Sequence, residues 1–265
     1  MTQSMPRSSH WTKHAQHWRH VKAPLRPCPE DMALFQRTLS EYFPSGMALR
    51  ALMLGVTPEL AANRWKPALN LVAVDSSLAM IRSVWPKNDA HRSIVCGNWL
   101  HLPVQDGRMN LAMIDGGLPA ISFPDAHRRL AMELHRILKR GGLFMARIFA
   151  RPDRAESVDD VLAAVHARRI GNFHVFKFRL AMALQGEDPA SGVRLDDVWR
   201  KVNERFDRRD QLADLTGWPI EEIGTIDAYR GSQASYHFPS IAEMVAVFRD
   251  AFECIDEKRG AYELA

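Results

Sequence analysis

The residues of this sequence best suited to chemistry are one glycine and two aspartates, each placed at the end of an apolar run. Gly55 follows Ala51-Leu52-Met53-Leu54, Asp75 follows Leu71-Val72-Ala73-Val74, and Asp115 follows Leu111-Ala112-Met113-Ile114. Such runs read as short buried strands, so all three residues fall at strand tips. About 20 residues separate Gly55 from Asp75, the interval of a nucleoside-binding βαβ unit whose second strand ends on an acid that holds a ribose. A vicinal diol is well met by one carboxylate with two acceptor oxygens, and a glycine lets the backbone come close to a ligand. A nucleoside-containing cofactor is the expectation. Read singly, Gly55 is as well explained by a strand-to-helix turn, Asp75 by a helix cap and Asp115 by a cap for Gly116-Gly117.

Around these positions lie residues of a second tier. In Gly55-Val56-Thr57-Pro58-Glu59, Thr57 can cap a helix, Pro58 suits its first turn and Glu59 favours the positive end of its dipole. This loop lacks the further glycines that a pyrophosphate needs, which argues against a dehydrogenase. Ser76 and Met80 follow Asp75, and Asn98 in Cys96-Gly97-Asn98-Trp99 offers both a donor and an acceptor. Groups able to move a proton or hold an anion sit at the edges: His14, His17, His20 and Arg26 near the N-terminus, and Tyr236-His237 before the last helix. Cys28, Cys96 and Cys254 have no metal-ligand spacing, so no metal is expected.

The elements that must position these residues alternate. Strands are expected at 49–54, 70–74, 93–96, 110–114 and 143–149, with helices near 58–65, 77–85 and 124–139, so the sheet is mostly parallel with helices on both faces. Gly141-Gly142 is expected to end the third helix. Before this core, Asp31 caps a helix to about Tyr42, and the prolines of Pro24-Leu25-Arg26-Pro27-Cys28-Pro29 favour an extended approach. After Arg151-Pro152 the period turns helical over 157–169, 173–185 and 195–212, which reads as an insertion over the C-terminal edge of the sheet. A helix over 240–251 and a strand at Phe252–Asp256 close the chain.

Composition bounds the rest. With 265 residues, 46% hydrophobic and 25% charged, the chain can build one core with an appendage. No run suits a membrane span, the N-terminus is too polar for a signal peptide and the scattered cysteines favour a reduced compartment, so the expected location is the cytoplasm. The net charge of +4 and the arginine pairs do not by themselves establish a nucleic-acid partner.

The order of these parts resembles the class I S-adenosylmethionine-dependent methyltransferases over about residues 48–150. The carriers are Gly55, Asp75, the Asn98-Trp99 loop, the Leu111–Gly117 strand end and Leu138-Lys139-Arg140-Gly141-Gly142-Leu143-Phe144. The family's usual GxGxG loop is reduced here to its first glycine. The resemblance implies a Rossmann-like methyltransferase fold, with residues 1–45 as an N-terminal cap segment and helix, and residues 46–265 as the catalytic domain with a helical insertion near 155–240. It implies S-adenosyl-L-methionine as the cofactor, held by Gly55, Val56, Thr57, Asp75, Ser76, Met80, Asn98, Trp99 and Asp115. His20, Arg26, Asp115 and His237 are the candidate catalytic residues. The implied function is methyl transfer to a small or mid-sized acceptor, ahead of an RNA or protein substrate and of a non-catalytic binder. The family's closing antiparallel hairpin is expected to be short or missing.

Overall fold

A computed structural model describes residues 9–264. After α1 (Ser9–Gln16) the chain makes a single 3-10 turn and an extended stretch, then enters α2 (Pro29–Tyr42). The core follows as β1 (Ala48–Leu54), α3 (Pro58–Ala62), β2 (Ala68–Asp75), α4 (Leu78–Val84), β3 (Arg92–Cys96), β4 (Met109–Asp115), α5 (Asp125–Ile137) and β5 (Leu138–Arg147). The insertion comprises α6 (Val158–His166), α7 (Phe173–Gln185), β6 (Val193–Arg194), α8 (Leu195–Arg205), α9 (Arg209–Thr216), α10 (Ile220–Gly224) and β7 (Ser235–Tyr236), and α11 (Ile241–Phe248) returns to the sheet.

The five core strands pair in parallel in the order β3-β2-β1-β4-β5. The chain builds outward from β1 to β3, then crosses back to lay β4 on the other side of β1. That reversal opens a crevice at the carboxyl ends of β1 and β4, where open α/β sheets bind ligands. Register carries the expected residues there together: Leu54 pairs with Val74 and Ile114, Asp75 with Cys96, and Asp115 with Arg147.

The period-2 alternation of β1 divides its side chains between two cores. Ala51 and Met53 bury against Phe35 and Leu39 of α2 and Leu60 of α3, whereas Leu52 and Leu54 bury against Leu130 and Leu134 of α5 and Val247 of α11. A third core belongs to the insertion, around Phe173, Phe176, Val198, Leu212 and Trp218. The fourth is small and joins α1 to α4 through Ala15, Val56, Met80 and Val84.

Several sequence expectations need correction. Asp31 is not the cap of α2. Cys28 holds that position, and the Asp31 carboxylate accepts from the Cys28 N–H at 2.8 Å. The pair Gly141-Gly142 does not end a helix: α5 stops at Ile137, and the glycines lie within β5. Residues 139–142 bulge out opposite Asn110 between the pairs Met109–Leu138 and Leu111–Leu143. Gly141 has φ +73°, and a Cβ on Gly142 would fall 2.9 Å from the Lys139 carbonyl oxygen. The expected helix 195–212 is two helices, broken where Phe206 leaves the helical region to bury in the insertion core. The two-residue ladder of β6 with β7 was not expected. No strand forms at Phe252–Asp256, and the described residues contain no closing hairpin beside β5. Among the described residues no helix is long and apolar enough to cross a membrane.

Candidate active site

The strand tips open into a cavity of about 690 Å³ bounded by three parts of the chain. The sheet contributes Gly55, Asp75, Trp99, Asp115 and Phe149, the N-terminal helix contributes His10, Trp11 and His14, and the insertion contributes Phe178, Tyr229, Tyr236 and His237.

The sheet side is built from backbone turns that only some residues allow. Gly55 sits at φ +97°, a conformation that L side chains rarely adopt, and its N–H donates to the Val74 carbonyl at 2.9 Å. That same carbonyl accepts from the Trp99 indole at 2.7 Å, which pins the ring across the crevice beside Gly55 and Gly117. A Cβ added to Gly117 would lie 2.9 Å from this indole. Next to Gly55 stands the Asp75 carboxylate. One oxygen accepts from the Ser77 N–H at 2.7 Å, and the other faces Gly55 with no hydrogen bond among the described residues. Burial pushes the Asp75 carboxyl up to about 6, against the pull of that single N–H. Ser77, not Asp75, caps α4.

Asp115 lines the cavity, but both of its oxygens are engaged. Arg147 Nε donates to one at 2.5 Å, and the Thr57 hydroxyl donates to the other at 3.2 Å. Burial raises the Asp115 carboxyl and Arg147 opposes that rise. Arg147 also donates to the Pro24 carbonyl at 2.6 Å, and Asp115 and Asp31 keep it charged in spite of its burial. The pair thus joins the β1 loop, the β5 end and the extended N-terminal stretch. Asp115, a candidate for both catalysis and cofactor binding, thus lines the cavity with both oxygens engaged and anchors the loop after β1.

The other expected residues divide. Val56, Thr57, Ser76 and Met80 line the cavity, with Val56 and Met80 packed in the core under α1. Asn98 does not line it; its side chain accepts from the Leu100 N–H at 2.9 Å and closes its own turn. His237 does line it, with Nδ1 2.8 Å from the Pro189 carbonyl, which makes Nδ1 the protonated nitrogen and leaves Nε2 as an acceptor. His20 and Arg26 lie outside. The His20 ring meets Arg19, and Arg26 Nε donates to Glu59 at 2.6 Å while its guanidinium lies over Trp18.

The cover is held by side chains that reach the carbonyls which the proline-rich stretch leaves without helical partners. Asn172 donates to the Ala23 carbonyl at 3.1 Å, His174 Nε2 to the His20 carbonyl at 3.0 Å, and Arg147 to that of Pro24. Sequence reasoning missed Arg147, Phe149, Phe178 and Tyr229. For Arg147 a signal existed, because it is the lone charge in Leu143-Phe144-Met145-Ala146-Arg147-Ile148-Phe149.

Among the described residues no group of three or more His, Cys, Asp or Glu side chains could hold a metal ion. Residues 52–146, from β1 to β5, match the family model described as a methyltransferase domain. No curated protein is significantly similar to the chain. Solved structures with related folds include one from Rhodobacter sphaeroides named for Zn-dependent alcohol dehydrogenases, 14% identical over 95% of this chain and 94% of that one, with TM-score 0.54. Others are a chain of the complex between the Haloferax volcanii Trm112 methyltransferase activator and a methyltransferase (14% identity, 94% and 77% coverage, TM-score 0.48) and a Methanosarcina mazei S-adenosylmethionine-dependent methyltransferase (14%, 86% and 85%, TM-score 0.44). At such identity the Rhodobacter structure speaks for the fold alone, and the chemistry rests on the matched segment and on the strand-tip residues that it contains. That segment, which holds the strand-tip residues Gly55, Asp75 and Asp115, is similar to a methyltransferase domain.

Proposed function

We propose that the domain transfers a methyl group to a small or mid-sized acceptor held in the cavity between the sheet and its cover. The carrying observation is the enclosure: the wall opposite Asp75 is made by α1 and the insertion, which leaves room for a compact molecule rather than a polymer. S-adenosylmethionine, when bound, supplies an electrophilic methyl group on a sulfonium. The residues fit its nucleoside end, because the half-buried Asp75 carboxylate offers an oxygen without a donor among the described residues, beside a glycine. A ribose diol supplies the missing donors. Thr57, Asp115 and Arg147 hold the loop after β1 in place. Trp11, Phe149, Phe178 and Tyr236 orient the acceptor and keep water out, so that alignment carries much of the rate. His237 Nε2 is placed to take a proton from the acceptor.

Incubation of the full chain with methyl-labelled S-adenosylmethionine and a cell extract, followed by ultrafiltration, tests this reading. Label is expected in the small-molecule filtrate. Label confined to retained RNA or protein would overturn the proposed acceptor class.

A further inference from the structure

The cover wall contains a group of polar side chains that the methyl-transfer reading leaves unused. His10 and His14 on α1 line the cavity, yet both ring nitrogens of His10 and Nε2 of His14 are buried with no hydrogen-bond partner among the described residues. Behind them, on α7, Lys177 is fully buried and its ammonium has no partner among the described residues; it lies over the Tyr229 ring at 4.9 Å. His174, one helical turn away, donates to the His20 carbonyl and leaves Nδ1 without a partner.

Buried polar groups are normally satisfied, and several unsatisfied together at a cavity wall mark a missing ligand. Two features define that ligand. The wall is aromatic, with Trp11, Phe178, Tyr229 and Tyr236, so it suits a flat ring. Its polar groups are imidazoles and phenols with one amine behind them; outside lie Lys13 and Lys22, the latter paired with Glu222 at 2.8 Å, while the carboxylates that line the cavity, Asp75 and Asp115, stand on the sheet side. The guanidiniums of Arg26 and Arg147 are paired with Glu59 and Asp115, and that of Arg230 lies over Trp199. A permanently ionised carboxylate is best met by a permanent guanidinium. A recess of groups that themselves titrate suits a weak acid instead. From this arrangement, and resting on the methyl-transfer reading above, we infer that the His10–His14 recess binds the ionisable hydroxyl of an aromatic acceptor, with Lys177 behind it as a positioning residue that favours the oxyanion.

Burial supports the pairing: it holds His10 down to about 4 and Lys177 down to about 7, so the imidazole can accept the hydroxyl's hydrogen bond while the amine gains from a nearby negative oxygen.

The test uses the full chain without methyl transfer. S-adenosylhomocysteine binding is measured first by calorimetry. Three probes are then titrated in its presence: 4-nitrophenol, nitrobenzene and 4-nitrobenzoate, with absorbance reporting the ionisation of the phenol. 4-Nitrophenol should bind roughly tenfold or more tightly than nitrobenzene, with its bound form shifted toward phenolate. Lys177→Met should abolish that spectral shift and leave nitrobenzene and S-adenosylhomocysteine affinities unchanged. Equal binding of phenol and nitrobenzene, preference for the benzoate, or an unchanged phenolate shift in Lys177→Met would each overturn the inference. Failure of S-adenosylhomocysteine to bind would instead overturn the methyl-transfer reading. Should Lys177→Met fail to fold, His10→Phe supplies the same comparison, with loss of the preference for 4-nitrophenol expected and its retention overturning the inference.

Discussion

The two walls of the cavity each bury one cation, and they treat it in opposite ways. On the sheet wall, Arg147 is paired with Asp115, faces Asp31 and donates to the Pro24 carbonyl. On the cover wall, Lys177 has, among the described residues, only the face of Tyr229. A cation with partners organises structure, because its removal strands buried carboxylates. A cation without partners costs stability, and its retention fits a group whose partner arrives with the ligand. The cation of the sheet wall is thus matched by carboxylates as it stands, whereas the cation of the cover wall is not.

Breaking this contrast should give the largest effect. Arg147→Met leaves Asp115 buried and unpaired, and should lower stability by about 3–5 kcal/mol in urea unfolding. Adding Asp115→Asn should return part of that loss, because the two side chains share one interaction. Lys177→Met should move the other way and raise stability by roughly 1–3 kcal/mol, since it removes an unsatisfied buried group of similar length. Destabilisation by Lys177→Met would mean that the cation of the cover wall is as well matched within the chain as that of the sheet wall.

Acid should sharpen the contrast next. Burial holds His10 and His127 down to about 4 and His174 to about 3. A lowered folded pKa means that the unfolded chain binds protons first. Stability is then full above about 6.5 and falls as pH drops toward 4, by of order 3 kcal/mol for each histidine once both states are protonated. Two of the three, His10 and His174, support the cover and only His127 belongs to α5. Hydrogen exchange followed from pH 7 to pH 4.5 should therefore rise in α1 and α7 before it rises in β1 and β4. Uniform loss of protection would erase the distinction between the two walls.

The walls also differ in how far the sequence discloses them. Gly55, Asp75 and Asp115 were readable because each follows its own strand within a few residues, and parallel register then carries all three to one edge. The limits of that reading were local as well. Asn98 had the right chemistry, yet its oxygen is spent on Leu100, and the role of Asp115 turned on Arg147, thirty-two residues away. The cover wall arises from contacts between α1, α7 and the turn before β7, over separations that no period records. Lys177 in Phe173-His174-Val175-Phe176-Lys177-Phe178 was the one local sign, a charge inside an otherwise buried helix. Arg26, a candidate from the proline-rich stretch, is held by Glu59 and is not among the residues that line the cavity.

Asp75 tests the sheet wall at the level of the ligand. Asp75→Asn keeps the shape but loses the charge, and should weaken S-adenosylhomocysteine binding by about 1–3 kcal/mol in calorimetry. Because burial raises the carboxyl to about 6, the free protein holds it protonated below that pH and ionised above it. Affinity of the unsubstituted chain should accordingly rise with pH through about 6, while that of Asp75→Asn stays flat. A pH response shared by both would assign the titration to another group.

The smallest effect is expected at Arg26, where the cover meets the sheet. Its ion pair with Glu59 is partly exposed, with about a quarter of each side chain open to solvent. Such a pair contributes little, and Arg26→Gln should cost no more than about 1 kcal/mol in urea unfolding. Lost charge on Arg26 leaves the cavity lining intact, so the affinities for S-adenosylhomocysteine and for nitrobenzene should not change. A selective loss of the aromatic probe would show that this tether sets the position of α1, and with it the shape of the cover wall.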